Sequence, residues 1–488
     1  MYTNWVSPSL HHAPHPTTST CWNPSTSSQQ KLLLRCKVTG KRRKTVHMTD
    51  TAESTATDFF DPSIRTPEME MAERGADVPA AADLKIDEIN PTNPHLFRED
   101  RWQEHFARLR AEDPVHFNEL ETSGRYWSVT KYDDVRAVDG DWETYSSAKG
   151  ITLGLKEVAD SEEMEQPGIQ TFIAMDPPKH TEQRKTVRSV SAPSNLRNIE
   201  PMIRERTAEL LDSLPEGETF DWVDTVSIEL TTLMLATLFD FPMDDRRKLT
   251  RWSDIVFAIP GPGGVVETQQ QKIDELLECV DYFGGLFEQR RENPGFDLVS
   301  MLANGEATKD IPMVEQLGNL LLLIVGGNDT TRNTMTGSVY GLNKFPDQYD
   351  KLLANPDLIS NFVPEVIRWQ TPLAYMRRTA NHDTELGGKQ IKKNDQILMW
   401  YVSANQDEDV FENAHVLDIE RHNADRQLSF GYGIHFCMGS RVAELQLRIL
   451  WEEILQRFKR IEIQDEPERV FSSFVHGYSN LPVTVTRR

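Results

Sequence analysis

The stretch that most constrains the fold covers residues 430–439 and reads F-G-Y-G-I-H-F-C-M-G. It places a single cysteine, Cys437, after two glycines and two residues before a third, and a helix-favouring run follows over residues 442–454. Glycines allow a tight loop whose backbone can approach a ligand closely. The pattern predicts a loop that ends at a helix start just past the sulfur, where backbone N–H groups and the helix dipole would stabilise a thiolate.

One thiolate limits the kinds of site that this loop can form. Zinc and iron–sulfur sites need several clustered Cys or His ligands, and this stretch offers one cysteine. A lone Cys ligand suits the axial position of a haem iron. The alternative is a buried structural cysteine, which would be the better interpretation if the cysteine stood alone. The other motifs of the chain decide between the two.

Composition sets broad limits on the class of protein. The chain has 488 residues, 38% of them hydrophobic, which is enough for one large domain or two smaller ones. A net charge of −23 argues against broad nucleic-acid binding. Four scattered cysteines favour a reducing compartment, taken here as the cytoplasm. No run approaches the roughly 18 apolar residues of a membrane span, so none is expected.

The N-terminal region differs from the rest. Residues 1–47 contain seven Lys or Arg and no Asp or Glu, with many Ser, Thr and Pro, and are predicted to be disordered. They are either a transit peptide or sequence translated upstream of a true start at Met48, and we favour the second. Residues 48–88 are predicted to form a mostly irregular acidic arm. The folded domain is expected over residues 89–488.

The strongest helical signal covers residues 316–342, and its centre, residues 320–331, reads L-L-L-L-I-V-G-G-N-D-T-T. A helix that is apolar on all sides is buried. Gly326 and Gly327 each cost about 1 kcal/mol relative to Ala in a helix interior. Asp329 and Thr330 add a buried acid and hydroxyl, which also cost free energy unless they are partnered. The stretch therefore indicates a functional or ligand-packing role, with a small-residue helix crossing as the alternative.

Two further motifs combine charges at helical spacing. Residues 175–184, M-D-P-P-K-H-T-E-Q-R, predict a helix start capped by Asp176, with His180 and Arg184 on one face. Glu365 and Arg368 lie three apart in an apolar helix over residues 361–369, which predicts a buried ion pair. A buried pair needs additional partners, and Arg421 is a candidate.

The remaining patterns indicate a helix-dominated chain with small sheets. Helices are predicted over residues 202–214, 226–238, 246–257 and 269–289, and short strands near 115–117 and 126–129 and over 385–391, 396–400 and 481–485. Residues 146–175 are predicted to be a long binding loop. The glycines and prolines of residues 259–264 predict a mobile helix–loop–helix lid.

Taken together, these motifs resemble the cytochrome P450 superfamily of haem-thiolate monooxygenases over roughly residues 90–488. The resemblance rests on G-G-N-D-T-T at 326–331, E-V-I-R at 365–368 and the cysteine loop, in the family's order. Longer stretches, such as E-V-I-R-W-Q-T-P-L-A-Y-M-R-R, are similar to the bacterial soluble subfamily that hydroxylates n-alkanes and fatty acids at the terminal carbon. The resemblance implies a mainly α fold with small β-sheets and one large domain. Haem b would be buried between the long central helix and the cysteine loop.

The resemblance also implies residue roles. Cys437 would be the proximal thiolate, whose electron donation favours O–O cleavage. Asp329 and Thr330 match the acid–alcohol pair that delivers protons during oxygen activation. Glu365, Arg368 and Arg421 would form a structural network behind the haem. The residues that would contact the haem or its propionates are His435, which stands where many members have Arg, and His180, Arg184, Arg378, Phe430, Gly431 and Gly439.

The expected substrate is a hydrophobic linear chain. Attack at a terminal methyl requires a narrow pocket that holds the chain's interior away from the iron. Leu373 is predicted to be a wall of that constriction, together with Val325, Gly326, Gly327 and Val475. Alcohol and terpene substrates remain alternatives. A peroxide-driven peroxygenase would not need Asp329 and Thr330, and a haem sensor would give the buried relay no purpose.

Electrons are expected from separate proteins, because no flavin or nicotinamide fingerprint follows the cysteine loop. The predicted donors are a ferredoxin and its NAD(P)H-dependent reductase. Their docking face would lie near Cys437 and use Arg188 and Arg441. The protein is expected to be a monomer.

Overall fold

A long helix, residues Met313–Lys344, crosses the domain and organises the elements around it. Its 32 residues correspond to about 48 Å at 1.5 Å per residue, and most of its side chains are buried. The prediction of a buried helix over residues 316–342 is confirmed. A helix can be buried on all sides only when other elements cover each face, so the remaining helices pack around this one.

The computed structural model describes residues 65–74, 78–161, 170–261 and 263–488. The predicted leader, residues 1–47, and the first part of the arm lie outside the described residues. The helices of the described chain are α1 Pro67–Glu73, α2 Pro94–Arg98, α3 Trp102–Glu112, α4 Tyr132–Gly140, α5 Lys156–Asp160, α6 Lys179–Val187, α7 Pro193–Ser213, α8 Glu229–Phe239, α9 Arg247–Phe257, α10 Gln269–Glu292, α11 Leu298–Asn304, α12 Met313–Lys344, α13 Pro346–Ala354, α14 Ile359–Gln370, α15 Tyr401–Ala404 and α16 Ser440–Arg457. The predicted helices are all present, and a π-helical turn, Val223–Ile228, leads into α8.

The strands are short and form four small sheets within the described residues. Their bounds are β1 Val115–Leu120, β2 Gly124–Val129, β3 Tyr145–Ser146, β4 Phe220–Asp221, β5 Met376–Ala380, β6 Thr384–Leu386, β7 Lys389–Ile391, β8 Gln396–Met399, β9 Phe458–Ile463, β10 Glu468–Arg469, β11 Tyr478–Asn480 and β12 Pro482–Arg487. The largest sheet has the order β1-β2-β8-β5-β3, with β2 and β8 parallel and the other neighbours antiparallel. The mainly α fold class is confirmed.

Two large apolar clusters flank α12. One joins it to α14 and α16, with Phe362 and Trp451 fully buried. The other joins it to α8, α9, α10 and α11, with Phe283 and Trp252 at its centre. Buried aromatic side chains contribute large contact areas, so these two clusters hold α12 in a fixed position. The cavity described below lies beside this fixed helix.

Two local predictions are wrong in instructive ways. Residues 385–391 form a hairpin of β6 and β7 rather than one strand, because Gly387 and Gly388 both adopt positive φ, +55° and +76°, and reverse the chain. Asp176 does not cap α6 with its side chain. Its carboxylate accepts hydrogen bonds from the Ser146 hydroxyl and, at 3.0 Å, from the Ser147 backbone N–H.

The arm is more ordered than predicted over the part of it that the structure describes. Helix α1 follows an N-cap at Thr66, and its Glu70 is buried. The Glu70 carboxylate accepts hydrogen bonds from the backbone N–H groups of Glu121 and Thr122, from the Thr122 hydroxyl and from Arg74. Although burial acts in the opposite direction, these hydrogen bonds lower the pKa of Glu70 to about 2. This anchoring makes α1 part of the packed domain.

Candidate active site

A large cavity separates α12 from the loop that precedes α16. Its volume is about 1760 Å³ when its opening to solvent is counted. One side is formed by the cysteine loop and the start of α16, and the opposite side by the middle of α12. The cavity therefore brings together two of the motifs on which the sequence analysis depends.

The cysteine loop adopts the predicted geometry. Gly431 and Gly433 both have φ of +68°, a conformation that residues with side chains rarely adopt. A side chain at Gly433 would also meet the backbone of Asp139 at 2.7 Å. The Cys437 N–H donates to the carbonyl of Phe430 at 2.8 Å, and α16 begins three residues later. The glycines are thus required for the turn that presents the sulfur to the cavity.

The electrostatics at the sulfur combine opposing effects. Burial raises the pKa of the Cys437 thiol, while the backbone N–H groups of Gly439 and Ser440 and the charge of Arg184 act in the opposite direction. Gly439 would place a side chain 3.8 Å from the sulfur, which is ordinary contact distance. Phe430 lines the cavity and packs edge-on to Phe436, with ring centroids 6.2 Å apart.

Four basic side chains meet at one edge of the cavity. His180 and His435 are both buried, and their rings lie 4.2 Å apart between centroids. Burial and the charges of Arg184 and Arg378 lower the pKa of His180 to about 4, and burial with the charges of Arg378, His180 and Arg184 holds the pKa of His435 well below its ordinary value. The four residues that the sequence analysis assigned to one role therefore form one cluster, although they come from α6, β5 and the cysteine loop.

This cluster lacks enough protein partners among the described residues. Both ring nitrogens of His180 and Nδ1 of His435 are buried without a hydrogen bond there. Buried polar groups are normally satisfied, so these nitrogens indicate an anionic ligand at this edge. Haem b carries two propionates on one edge, and its iron would face Cys437 within the same cavity. The residues present therefore fit haem b.

Arg378 has one carboxylate partner that the sequence analysis missed. Its Nη2 donates to Asp139 on α4 at 2.6 Å, and Asp139 also accepts from the Tyr401 hydroxyl at 2.7 Å and the Tyr432 N–H at 2.8 Å. Asp139 thereby ties α4 and α15 to the cysteine loop. Its position in the sequence, on a helix far from the motifs, gave no signal of this contact.

Glu365, Arg368 and Arg421 form a fully buried network. Arg368 donates to both oxygens of Glu365 at 2.7 Å, and Arg421 Nε donates to the same oxygens at 3.0 and 3.1 Å. The remaining Arg368 nitrogen donates to the carbonyls of Asn405 and Ala414. The predicted three-residue contact is present, with added backbone partners that make burial of the charges tolerable.

Asp329 and Thr330 occupy the middle of α12 and line the cavity. The Thr330 hydroxyl donates to the Gly326 carbonyl at 2.7 Å. Burial and the nearby charge of Asp254 raise the pKa of Asp329 to about 6, against the opposing effects of Arg332 and a hydrogen bond from Ser253. An acid with a pKa near neutrality can both release and take up a proton at physiological pH.

Four of the five residues predicted to contact substrate line the cavity: Val325, Gly326, Gly327 and Leu373. A side chain added to Gly326 would meet open space, whereas one at Gly327 would clash with Leu235 at 2.7 Å. Gly327 therefore also permits close packing of α8 against α12. Val475 pairs with Leu373 as an isolated β-bridge, and its neighbour Phe474 forms the wall in its place.

The structure adds walls that sequence patterns did not identify. Phe257 at the end of α9 packs against Phe474 with the rings tilted by 49° and their centroids 4.9 Å apart, and both line the cavity. Ile151 and Phe172, from the segment predicted as a binding loop, also line it. Aromatic and aliphatic residues in loops resemble ordinary core residues in sequence, so only their tertiary position reveals this role.

Comparisons with known proteins agree with this site. The family model for cytochrome P450 matches residues 100–482. The chain therefore belongs to the cytochrome P450 family, whose members are monooxygenases that hold haem b.

Several relatives are similar over most of the chain. Linalool 8-monooxygenase of Pseudomonas putida is 35% identical over 80% of this chain and 98% of its own length. A methyl-branched lipid omega-hydroxylase of Mycobacterium tuberculosis is 30% identical over 78% of this chain and 90% of its own. The structure is similar to cytochrome P450-153 from Novosphingobium aromaticivorans, with TM-score 0.74 and 44% identity over 81% of this chain and 99% of the other. The structure is also similar to CYP153D17 from Sphingomonas sp. PAMC 26605, with TM-score 0.75 and 48% identity over 83% of this chain and 100% of the other.

None of the helices in the described part of the chain combines the length and the apolar character needed to cross a membrane.

Proposed function

We propose that this cytochrome P450 inserts one atom of O₂ into a terminal C–H bond of medium-chain n-alkanes or, less readily, fatty acids. The observation that carries the proposal is the lining of the cavity. Apart from Asp329 and the basic cluster of Arg184, Arg378 and His435, the described residues that line it are uncharged. An alkyl chain gains about 25 cal/mol per Å² of apolar surface that it buries there.

The similar proteins support attack at the end of a chain. The relative from M. tuberculosis is named as an omega-hydroxylase of a methyl-branched lipid. The relative from P. putida is named for linalool, so a terpene alcohol remains the alternative substrate. Leu373, Phe257 and Phe474 all line the cavity, and a constriction formed by these side chains would favour a linear chain over a branched one.

We assign the roles of the site residues as follows. Cys437 would hold the haem iron, and His180, Arg184, Arg378 and His435 would hold the propionates through charge-assisted hydrogen bonds. When bound, haem b supplies the oxidising chemistry. Asp329 and Thr330 would transfer the protons needed to convert one oxygen atom to water.

Electron delivery would use a ferredoxin and its NAD(P)H-dependent reductase, with the enzyme acting as a cytoplasmic monomer. Arg188, directly after α6, and Arg441, at the start of α16, are both exposed. Phe436 in that loop is 44% exposed. A basic surface around an exposed aromatic side chain suits an acidic electron-transfer partner.

Absorption spectra of the purified protein test this proposal. Reduction in the presence of carbon monoxide is expected to give the strongly red-shifted Soret band of thiolate ligation. Octane is expected to shift the ferric band towards high spin more strongly than a C12 fatty acid does. If neither compound shifts the band, the alkyl-chain substrate class is wrong although the family assignment stands.

The predicted constriction has its own test. Leu373→Ala is expected to widen the passage and increase hydroxylation at internal carbons relative to the terminal one. Product analysis by gas chromatography measures this ratio, with Ile228→Ala, in a partly buried position away from the cavity lining, as the control. An unchanged ratio would exclude Leu373 as the wall.

One amine provides a test of alkane against acid. Lys272 Nζ donates at 3.0 Å to the carbonyl of Ala258, next to the cavity-lining Phe257. Lys272 is not among the described residues that line the cavity, and burial lowers its pKa against the opposing effect of Glu68 in the arm. Lys272→Met is therefore expected to leave the KM for octane unchanged. It is expected to raise the KM for the C12 acid by less than about threefold, which is far less than the increase expected from the loss of a buried ion pair with the substrate.

A further inference from the structure

Three side chains outside the predicted motifs surround Asp329. Ser253 on α9 donates to Asp329 Oδ2 at 3.0 Å. Arg332, one turn after Asp329 on α12, places Nη2 2.8 Å from Asp329 Oδ1. The same nitrogen lies 2.6 Å from Oδ1 of Asp254 on α9. One guanidinium nitrogen therefore lies between two carboxylates from different helices.

The exposure of these three side chains to solvent decreases from Asp254 through Arg332 to Asp329, which lines the cavity. The side chain of Asp254 is 25% exposed, that of Arg332 is 9% exposed and that of Asp329 is 4% exposed. Only Asp329 of the three lines the cavity. Asp254 thus contacts solvent on one side and the shared arginine on the other, while Asp329 faces the site of reaction.

The hydrogen bonding of this group is incomplete within the described residues. The facing oxygens, Oδ1 of Asp254 and Oδ1 of Asp329, are buried and make no aligned hydrogen bond there, although both are close to Arg332. Nε of Arg332 is likewise buried without an acceptor. A purely structural ion pair is expected to satisfy such atoms. Carboxylate oxygens that face each other without a hydrogen-bond partner can exchange a proton, either directly or through a water molecule between them.

We propose that Asp254 is the solvent-side acid through which protons reach Asp329, with Arg332 positioning the two carboxylates. The proposal rests on the proposed monooxygenase function, since each turnover consumes two protons. In each transfer, a proton from bulk water binds Asp254, passes to Asp329 and leaves Asp329 towards the cavity. Both carboxylates are then restored, and no electron moves between these groups.

Arg332 itself does not carry the proton in this scheme. The charges of Asp329 and Asp254 raise the pKa of Arg332, so it remains protonated throughout. Its charge favours the ionised form of Asp329, whereas burial and the Asp254 carboxylate favour the neutral form. These charged groups on α9 and α12, together with burial, keep the pKa of Asp329 at about 6. A proton that arrives on Asp254 removes one negative charge and so eases the release of the next from Asp329.

The test uses the complete holoenzyme with a ferredoxin system and three variants. Asp254→Asn removes the carboxylate, Asp254→Glu restores it, and Asp224→Asn is the matched control. Asp224 also pairs with an arginine of α9, Arg247 at 2.8 Å, but on the exposed surface. Product, peroxide and oxygen consumption are measured in H₂O and in D₂O.

Asp254→Asn is expected to slow product formation about tenfold, less than the roughly hundredfold lost with a group that exchanges the proton at the reaction site, and to enlarge the solvent isotope effect. Asp254→Glu is expected to recover most of the rate, and Asp224→Asn to match the wild type. A wild-type rate and isotope effect in Asp254→Asn would overturn the proposal. Equal slowing in Asp254→Asn and Asp254→Glu would show a structural role and would also overturn it.

A second readout does not depend on turnover. Removing the Asp254 charge lowers the pKa of Asp329, so the pH range in which Asp329 titrates is expected to move to lower pH in melting curves of Asp254→Asn. An unchanged range would count against the proposal. If the enzyme oxidised no alkane, the partition of oxygen between peroxide and water could still be measured with any hydrophobic compound that binds, which separates this proposal from the substrate assignment.

Discussion

Two buried clusters of arginine and carboxylate lie in this domain, and their hydrogen bonding differs sharply. In the cluster of Glu365, Arg368 and Arg421, Arg368 uses all three guanidinium nitrogens for hydrogen bonds. In the cluster of Asp254, Arg332 and Asp329, one nitrogen contacts both acids and Nε has no acceptor among the described residues. The buried charges of the first cluster all have hydrogen-bond partners, whereas those of the second cluster do not among the described residues.

The difference indicates two uses of a buried charge. A network with every donor and acceptor occupied has one stable arrangement, so it fixes α14 against the loop around residue 416. An incomplete network retains sites at which a proton can be exchanged. We infer that the first cluster maintains the fold and that the second serves the reaction, and the two can be separated by experiment.

The largest expected effect comes from opening the complete cluster. Glu365→Ala leaves Arg368 and Arg421 buried without a carboxylate, which is expected to cost about 3–5 kcal/mol in the free energy of unfolding. Chemical denaturation of purified protein measures this loss. Glu420→Ala, which breaks an exposed pair with Lys351 at 2.7 Å, is the control and is expected to cost below about 1 kcal/mol. An unchanged denaturation midpoint for Glu365→Ala would contradict the structural role.

Opening the incomplete cluster is expected to affect activity instead of folding. Asp329→Asn keeps the shape of the side chain but cannot exchange a proton, so turnover is expected to fall about a hundredfold. Circular dichroism and haem content are expected to be those of the wild type. Thr330→Ala is a companion variant, expected to divert reducing equivalents to peroxide. Full coupling in Thr330→Ala would show that no relay operates and would favour a peroxide-driven enzyme.

Exchange of arginine for lysine compares the two clusters directly. Arg368→Lys cannot reproduce a planar group that donates in several directions, so it is expected to destabilise the protein by about 2 kcal/mol or more. Arg332 acts through one nitrogen, which an ammonium can replace, so Arg332→Lys is expected to cost less than about 1 kcal/mol. Denaturation of the two variants in parallel measures the difference. Equal losses would mean that the contrast between the clusters has no energetic basis.

The sequence predicts some of the contacts in these two clusters and not others. Glu365 and Arg368 lie three residues apart in an apolar helix, so the helical period and the residue types predicted their contact. Arg332 stands at the same spacing from Asp329 and could have been identified in the same way. Asp254 could not, because its contact depends on how α9 packs against α12, and the local pattern of α9 does not show which helix its one acidic residue faces.

The same limit applies to the walls of the cavity and to the turns. The long apolar helix and the glycine-rich cysteine loop have strong local signals, and both are confirmed. Val475 was predicted to line the cavity where Phe474 does, because strand alternation decides which neighbour faces inward and the register was unknown. Gly327 has the sequence character of Gly326, yet only the position of α8 shows that it serves close packing.

The smallest expected effect is the pH dependence of stability that the incomplete cluster produces. The pKa of Asp329 is raised from its ordinary value of 3.8 to about 6, chiefly by burial, so the folded protein holds this proton more tightly than the unfolded chain does. Its contribution to stability is therefore greatest below about pH 4 and is lost as the pH rises through about 6. Asp329→Asn abolishes this dependence, so the melting temperature of the variant relative to the wild type is expected to increase by a few degrees between these limits and then stay constant. Scanning calorimetry across this range checks the slope, with Asp224→Asn as the control. A difference that is flat with pH would show that the pKa of Asp329 is not raised in the folded protein, and the cluster would then be a second structural ion pair.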